Sequence, residues 1–279
     1  MTNLRIFLTT KCNMRCAYCR VRNDGRTIEW ARLERYLQSN RSLMIRDVSR
    51  IDIVGGEPCL EYELLRRFAV IVRDKIGFEG GISLFTNATV LETRHIALFD
   101  EYRMRITVSL DGIKEVNDHE RRVKKLNQSG FERVMRTIER MDRDKLHIHV
   151  TLTKSNYLGL PEYFSFLSGL GVKSVGLFPA DYCYWAKDEA QSLETVLRNS
   201  LFDYHRHLRF AGLDWLRSIQ PPHRPPCDRV YLGADGAFIC ASISRPALRR
   251  RLKSSGSDRS KKASMTQSAD ISTKTSAAR

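Results

Sequence analysis

No stretch of this 279-residue chain approaches the ~20 consecutive apolar residues that cross a bilayer, which excludes a helical membrane span from the reading. Its first residues show no secretory leader and enter a strand pattern at once, so neither secretion nor a membrane partner is expected. The seven cysteines therefore do not read as a disulfide framework. They fit a reducing cytoplasm and metal ligation. Carboxylates are also scarce: 32 Asp and Glu face 47 Lys and Arg, a net charge of +15. Residues 245–279 hold ten Lys and Arg against Asp258 and Asp270, a local +8 that leaves +7 for the body. From Lys253 onward large apolar residues are nearly missing, so 253–279 read as a disordered basic tail, a solvated terminus rather than a nucleic-acid arm.

Strand-like runs at 4–9, 50–54, 82–86, 105–110, 146–153 and 173–178 alternate with amphipathic stretches at 30–37, 61–75, 92–99, 130–141 and 161–170. This alternation predicts an α/β fold with a parallel sheet and helices packed outside. Six units are too few for an eight-stranded barrel, so an open, partial TIM-like barrel is expected. Ile106, Val108 and Leu110 alternate with Thr107, Ser109 and Asp111, and His147 and His149 alternate with Ile148 and Val150. The aliphatic set should meet the helices and the polar set should line a lumen that holds ligand or water. The two histidines fit substrate contact or a structural hydrogen-bonding role. Asp181, Tyr182, Tyr184 and Trp185 fall where substrate-shaping loops are expected; plain packing against the C-terminal part of the chain also fits them.

Directly after the first strand come Cys12, Cys16 and Cys19, with Asn13 after the first and Tyr18 before the last. Three thiolates on one loop can hold three irons of a [4Fe–4S] cube and leave the fourth open to a small molecule. Taken alone they also fit a zinc site short of one ligand. The second strand ends in Gly55-Gly56-Glu57-Pro58, where glycines permit close backbone approach and the carboxylate can accept from an ammonium group. The third ends in Thr86-Asn87-Ala88. The fourth ends in Ser109-Leu110-Asp111-Gly112, followed by Asn117-Asp118-His119-Glu120-Arg121. Cys59, after Pro58, reads as core packing.

In this order the motifs resemble those of the radical S-adenosylmethionine (SAM) superfamily, and the last two resemble its peptide-modifying and sulfatase-maturating branch. Ala88 stands where relatives often have Gly, and Asn117 where they have His. The resemblance implies a [4Fe–4S] cluster on Cys12, Cys16 and Cys19. It implies SAM held at its amino group by the turn of Gly55, Gly56 and Glu57, and at its polar parts by Ser109 and Arg121. One-electron cleavage of SAM would then give a 5′-deoxyadenosyl radical that abstracts hydrogen from a peptide or small natural-product precursor.

Cys227 and Cys240 bracket Asp235-Gly236, a hairpin signal between two β-favouring runs. This segment resembles the start of a SPASM/twitch extension, so the expected organisation is a radical SAM core at 1–180, an extension at 181–252 and the tail. No cysteine follows Cys240, which excludes two auxiliary clusters. One remains open, on Cys183, Cys227 and Cys240; the other reading is a degenerate hairpin with buried thiols. The partners expected are the substrate, an electron donor such as flavodoxin or ferredoxin, and a recognition partner if the substrate is a peptide. A second reading is a twitch-type dehydrogenase of an aminocyclitol or sugar alcohol. A reading from another class, a non-catalytic iron–sulfur or zinc protein that binds nucleic acid through its tail, leaves the SAM-site motifs unexplained.

Overall fold

β-Branched and leucine-rich runs, each followed by an amphipathic stretch, fold as successive βα units because every strand must bury its aliphatic face under a helix. The computed structural model describes residues 2–124, 128–180, 185–211, 213, 229–232 and 238–240. Its first half comprises β1 (Thr2–Phe7), β2 (Met14–Cys16), α1 (Trp30–Ser39), α2 (Arg41–Asp47), β3 (Val48–Val54), α3 (Tyr62–Val70), β4 (Gly81–Thr86), α4 (Thr93–Glu101) and β5 (Met104–Ser109). The second half comprises α5 (Lys114–Glu120), β6 (Arg121–Val123), α6 (Gly130–Glu139), β7 (Leu146–Leu152), α7 (Leu160–Gly169), β8 (Ser174–Pro179), α8 (Lys187–Tyr204), β9 (Arg209–Ala211), β10 (Arg229–Leu232) and β11 (Phe238–Cys240).

Nine strands form one sheet in the order β11-β10-β1-β3-β4-β5-β7-β8-β9, and β2 and β6 make a separate antiparallel ribbon. All neighbours in the large sheet are parallel except β10 and β11. The edges β9 and β11 do not pair with each other, so the sheet is an open, partial barrel. No described helix is long and apolar enough to cross a membrane.

The alternation read from the sequence is realised. Val108, Leu110, Ile148 and Val150 are fully buried, as are Leu33, Phe68, Phe99 and Phe164 on the helices. On the opposite face Thr107 sits beside His147, and Ser109 beside His149. His149 stacks on Phe178 with centroids 4.7 Å apart and meets Phe85 edge-on at 5.7 Å. Arg5 lies over the Phe85 ring and, with Arg50, engages the fully buried Asp52. The lumen is thus lined by aromatic faces and guanidinium groups.

Three features depart from the expectation. Helix α8 and β9 add a seventh unit, which the three-residue strand Arg209–Ala211 is too short to announce as a pattern. Of the segment between Cys227 and Cys240 the described residues are β10 and β11, which pair antiparallel, and β10 also pairs parallel with β1, Leu4 opposite Val230. Residues beyond 180 therefore extend the sheet of the core at both edges. The β2–β6 ribbon, with Cys16 opposite Arg121, has no forerunner in the sequence pattern. The basic tail lies outside the described residues.

Burial, with Arg105 and Arg50 nearby, pulls the His147 pKa down to about 4, and its Nδ1 sits 2.8 Å from Ser174 Oγ. A neutral histidine in the fold that protonates more readily when unfolded contributes stability above pH ~6.5. That contribution is lost as pH falls toward 4. His147→Gln should therefore flatten the acid limb of the stability profile between pH 6.5 and 4 by about 2 kcal/mol, allowing for partial exposure. Urea unfolding at several pH values measures it; parallel limbs for both proteins would refute the assignment.

Candidate functional site

β1 delivers the chain into the cysteine loop, and the loop is clamped where it leaves and returns. Leu8 N–H donates to Val54 O at 2.9 Å, and Ile28 N–H closes on Leu8 O at 2.9 Å. The Thr9 hydroxyl holds Arg26 O at 3.0 Å. The Gly55-Gly56 turn packs directly on this clamp. Gly56 N–H donates to Thr9 O at 2.8 Å and Glu57 N–H to Lys11 O at 2.7 Å. A Cβ on Gly55 would lie 2.3 Å from Thr9 O, and one on Gly56 would lie 2.2 Å from Lys11 O. The glycines are therefore required by the residues leading into Cys12.

Glu57 is fully buried. Its Oε1 accepts from Cys59 N–H at 3.0 Å and Thr86 Oγ1 at 2.8 Å, and its Oε2 from Asn87 N–H at 2.6 Å. Burial pushes its pKa up against these bonds. The side chain ties the end of β3 to the end of β4, so it does not present its carboxylate to an ammonium group; the turn can offer a ligand only its backbone. Asn87 continues the chain of contacts. Its Nδ2 donates to Asn13 Oδ1 at 2.9 Å and lies 3.9 Å from Cys12 Sγ, while Asn13 Nδ2 donates to Thr89 Oγ1 at 2.7 Å. Ala88 takes φ +56°, so the left-handed geometry that glycine favours is kept without glycine.

The second half of the site centres on Asp111. Arg121 Nε donates to Asp111 Oδ2 at 2.7 Å and Nη2 to Oδ1 at 3.2 Å. Thr151 N–H donates to Oδ1 at 2.8 Å, and the Tyr18 hydroxyl donates to Oδ2. Arg121 is 7% exposed and lies over the Tyr18 ring, so it is not a surface helix cation. Its fork is taken by Asp111, which leaves Nη1, 3.9 Å from Cys16 Sγ, as the edge toward the cysteine loop. Burial opposes the Arg121 charge, but Asp111 and its neighbours hold its pKa up. Ser109 is half-buried on the lumen rim at the end of β5.

The surroundings of the thiols suit bound thiolate ligands. Met14 N–H donates to Cys12 Sγ at 3.4 Å, and Asn87 and Arg121 direct N–H groups at Cys12 and Cys16, the arrangement that stabilises thiolate sulfur. Cys12, Cys16 and Cys19 feel one another's charge, yet among the described residues no three metal-binding side chains converge as ligands of one ion. Burial raises both the Cys12 and Cys16 pKa, the latter to about 11, so a cluster must displace protons to bind.

Cys183, Cys227, Asp181, Tyr182 and Tyr184 lie outside the described residues, and Cys240 is placed only by its backbone in β11. Cys59 is buried with Sγ 3.5 Å from Thr86 Oγ1, a packing position. Trp185 meets Tyr157 edge-on. The residues that sequence reasoning leaves without a role are Asp111, Asn87 and Asn13. All three sit inside the strand-end and cysteine-loop motifs, so their positions are visible in the sequence although their partners are not.

Two outcomes test this geometry. Asp111→Asn leaves the buried Arg121 without its counter-charge and should cost about 3–5 kcal/mol in urea unfolding; a loss below ~1 kcal/mol would contradict the buried pair. Gly56→Ala should lower iron bound per chain after anaerobic reconstitution severalfold while far-UV circular dichroism is retained. Full iron content would show that the clash with Lys11 is relieved elsewhere.

The geometry has counterparts among known proteins. The radical SAM superfamily profile matches residues 6–164. A probable GTP 3′,8-cyclase of Methanopyrus kandleri is 31% identical over 268 residues, covering 88% of this chain and 82% of its own. One from Archaeoglobus fulgidus is 36% identical over 111 residues, and there this chain spans 36% of the relative's length. Among solved structures, native anSMEcpe with bound AdoMet superposes with TM-score 0.69 at 18% identity, over 87% of this chain and 75% of the other. Streptococcus suis SuiB bound to S-adenosylmethionine gives 0.66 at 15% identity, over 85% and 59%. These two support the fold. Together with the cysteine loop, the glycine turn and the open sheet, the profile match identifies the chain as a member of the radical SAM superfamily, which implies a [4Fe–4S] cluster and SAM.

Proposed function

We propose that this protein cleaves SAM reductively and turns the resulting radical on a small, flat, anionic substrate held in the lumen. The observation that carries the first half is the set of N–H donors from Met14, Asn87 and Arg121 aimed at Cys12 and Cys16. Cys12, Cys16 and Cys19 would hold the cluster. The backbone of Gly55–Glu57, the Ser109 hydroxyl and Arg121 Nη1 would hold SAM. When bound, these groups supply a 5′-deoxyadenosyl radical after transfer of one electron. The chain's own part is placement. Asp111 fixes Arg121 beside Cys16, Glu57 fixes the turn on the cysteine loop, and the aliphatic sheet face keeps water from the helix side.

Support for the substrate class comes from two sides. Phe85, His149 and Phe178 give ring faces on which a flat molecule can stack, and Arg5 and Arg50 bring cations into the same lumen. The relatives are named GTP 3′,8-cyclases, which makes a purine nucleotide the first compound to try. The broader expectation of a peptide or natural-product precursor narrows in this proposal to a small molecule. A reducing cytoplasm suits such a cluster.

The test is 5′-deoxyadenosine formation by anaerobically reconstituted protein with dithionite, with and without GTP, a peptide mixture or an aminocyclitol. Cys16→Ala should abolish the product, and a normal yield from it would sink the assignment. GTP should stimulate cleavage and pass its hydrogen to 5′-deoxyadenosine, read as deuterium from labelled GTP; stimulation by peptide alone would overturn the substrate class. Iron remaining at about four per chain in a Cys12/Cys16/Cys19→Ala triple variant would assign an auxiliary cluster to Cys183, Cys227 and Cys240. No iron would leave a single cluster and favour redox-neutral chemistry.

A further inference from the structure

The outer face beside the cysteine loop is strongly cationic. In the β2–β6 ribbon Arg15 and Arg122 are direct cross-strand partners, both exposed, and the exposed Lys124 follows, its N–H on Asn13 O at 3.1 Å. Like charges directly opposite one another destabilise a strand pair, so the ribbon carries an arrangement that folding alone does not favour. Helix α6 starts against this ribbon: a Cβ on Gly130 would meet Met14 Cε at 3.1 Å and Val123 Cγ2 at 3.3 Å.

Along α6 the cations continue. Arg133, Arg136 and Arg140 are spaced i, i+3, i+7 and share one face. They line an open cavity of about 570 Å³ with Thr89 on its wall, and Glu139 is the one carboxylate among the described residues that line it. Arg140 is tied to Leu91 O at 2.9 Å, whereas Arg136 is exposed and makes no ion pair among the described residues. The groove also connects inward. Thr89 Oγ1 accepts from Asn13, the neighbour of Cys12, and Thr137 Oγ1 donates to Ala88 O at 2.9 Å, fixing helix and loop together.

We propose that this surface, the β2–β6 ribbon together with the Arg133–Arg136–Arg140 stripe, docks an acidic one-electron carrier protein that reduces the cluster. The inference rests on the radical SAM reading, which requires an electron from outside the chain. Charge complementarity selects an acidic partner, and the Thr89–Asn13–Cys12 contacts bring that partner to the cysteine loop without its entering the lumen. In the transfer, a flavodoxin hydroquinone gives up one electron and becomes the semiquinone, while the cluster passes from the 2+ to the 1+ state.

The experiment uses the reconstituted holoenzyme without SAM and follows cluster reduction by stopped-flow absorbance. The reductants are a purified reduced bacterial flavodoxin and, separately, dithionite. Arg133→Glu with Arg136→Glu should lower the second-order rate with flavodoxin about tenfold or more and leave the dithionite rate unchanged. The wild-type flavodoxin rate should fall steeply with added salt. Arg136→Glu alone, on an exposed helix position, guards against misfolding and should show a smaller loss of the same kind. Arg198→Glu, on the exposed face of α8, should have no effect. Equal flavodoxin rates for wild type and double variant would overturn the proposal, as would an equal loss with dithionite or with Arg198→Glu. So would salt-sensitive RNA binding that the double variant loses while its flavodoxin rate stays intact. SAM cleavage driven by dithionite in the wild type decides the enzymatic reading separately, since it needs no carrier.

Discussion

A single buried carboxylate, Asp111, receives hydrogen bonds from Arg121, Tyr18 and the Thr151 backbone, and so joins the cysteine loop to β5, β6 and β7. A carboxylate in this position carries a desolvation penalty that only full hydrogen bonding offsets, and here its partners come from three separate segments. The consequence is positional. Tyr18 sits next to Cys19 and Arg121 sits opposite Cys16, so whatever fixes Asp111 also fixes two of the three thiols.

The other side of the loop is held by a different force. Gly55 and Gly56 lie so close to Thr9 and Lys11 that no side chain fits, and Glu57 locks the turn to β4 through buried hydrogen bonds. Steric contact at one end and a buried ion pair at the other leave the cysteine segment between two rigid supports. A cofactor loop built this way loses little conformational freedom when its ligands arrive, since the ordering is already present in the fold.

Much of this was legible in the residues. The alternation in Ile106–Ser109 and Leu146–Leu152 placed aliphatic and polar faces correctly, and each of the six expected strands and five expected helices has a counterpart displaced by only a few residues. What stayed hidden were relationships rather than elements. Glu57 reads as a ligand group, but its inward direction depends on Thr86 and Asn87, residues brought close only by the pairing of β3 with β4. Arg121 reads as a contact for the polar parts of SAM, but the ribbon turns two of its donor groups toward Asp111. Ala88 shows the limit from the other direction: a residue that departs from the expected glycine still adopts φ +56°. Its neighbours impose what its own preference would not.

The pairing of β10 with β1 has a consequence for how the molecule is made. Leu4 finds its partner Val230 across 226 positions of sequence, the opposite of the local contacts that speed folding. During synthesis β1 can pair with β3 early, but its other edge waits until residues 229–232 have left the ribosome. For that interval the nascent chain exposes an uncapped strand edge, the kind of surface that recruits chaperones or neighbouring chains. The strand that leads into the cysteine loop is thus among the first to be synthesised and the last to be enclosed.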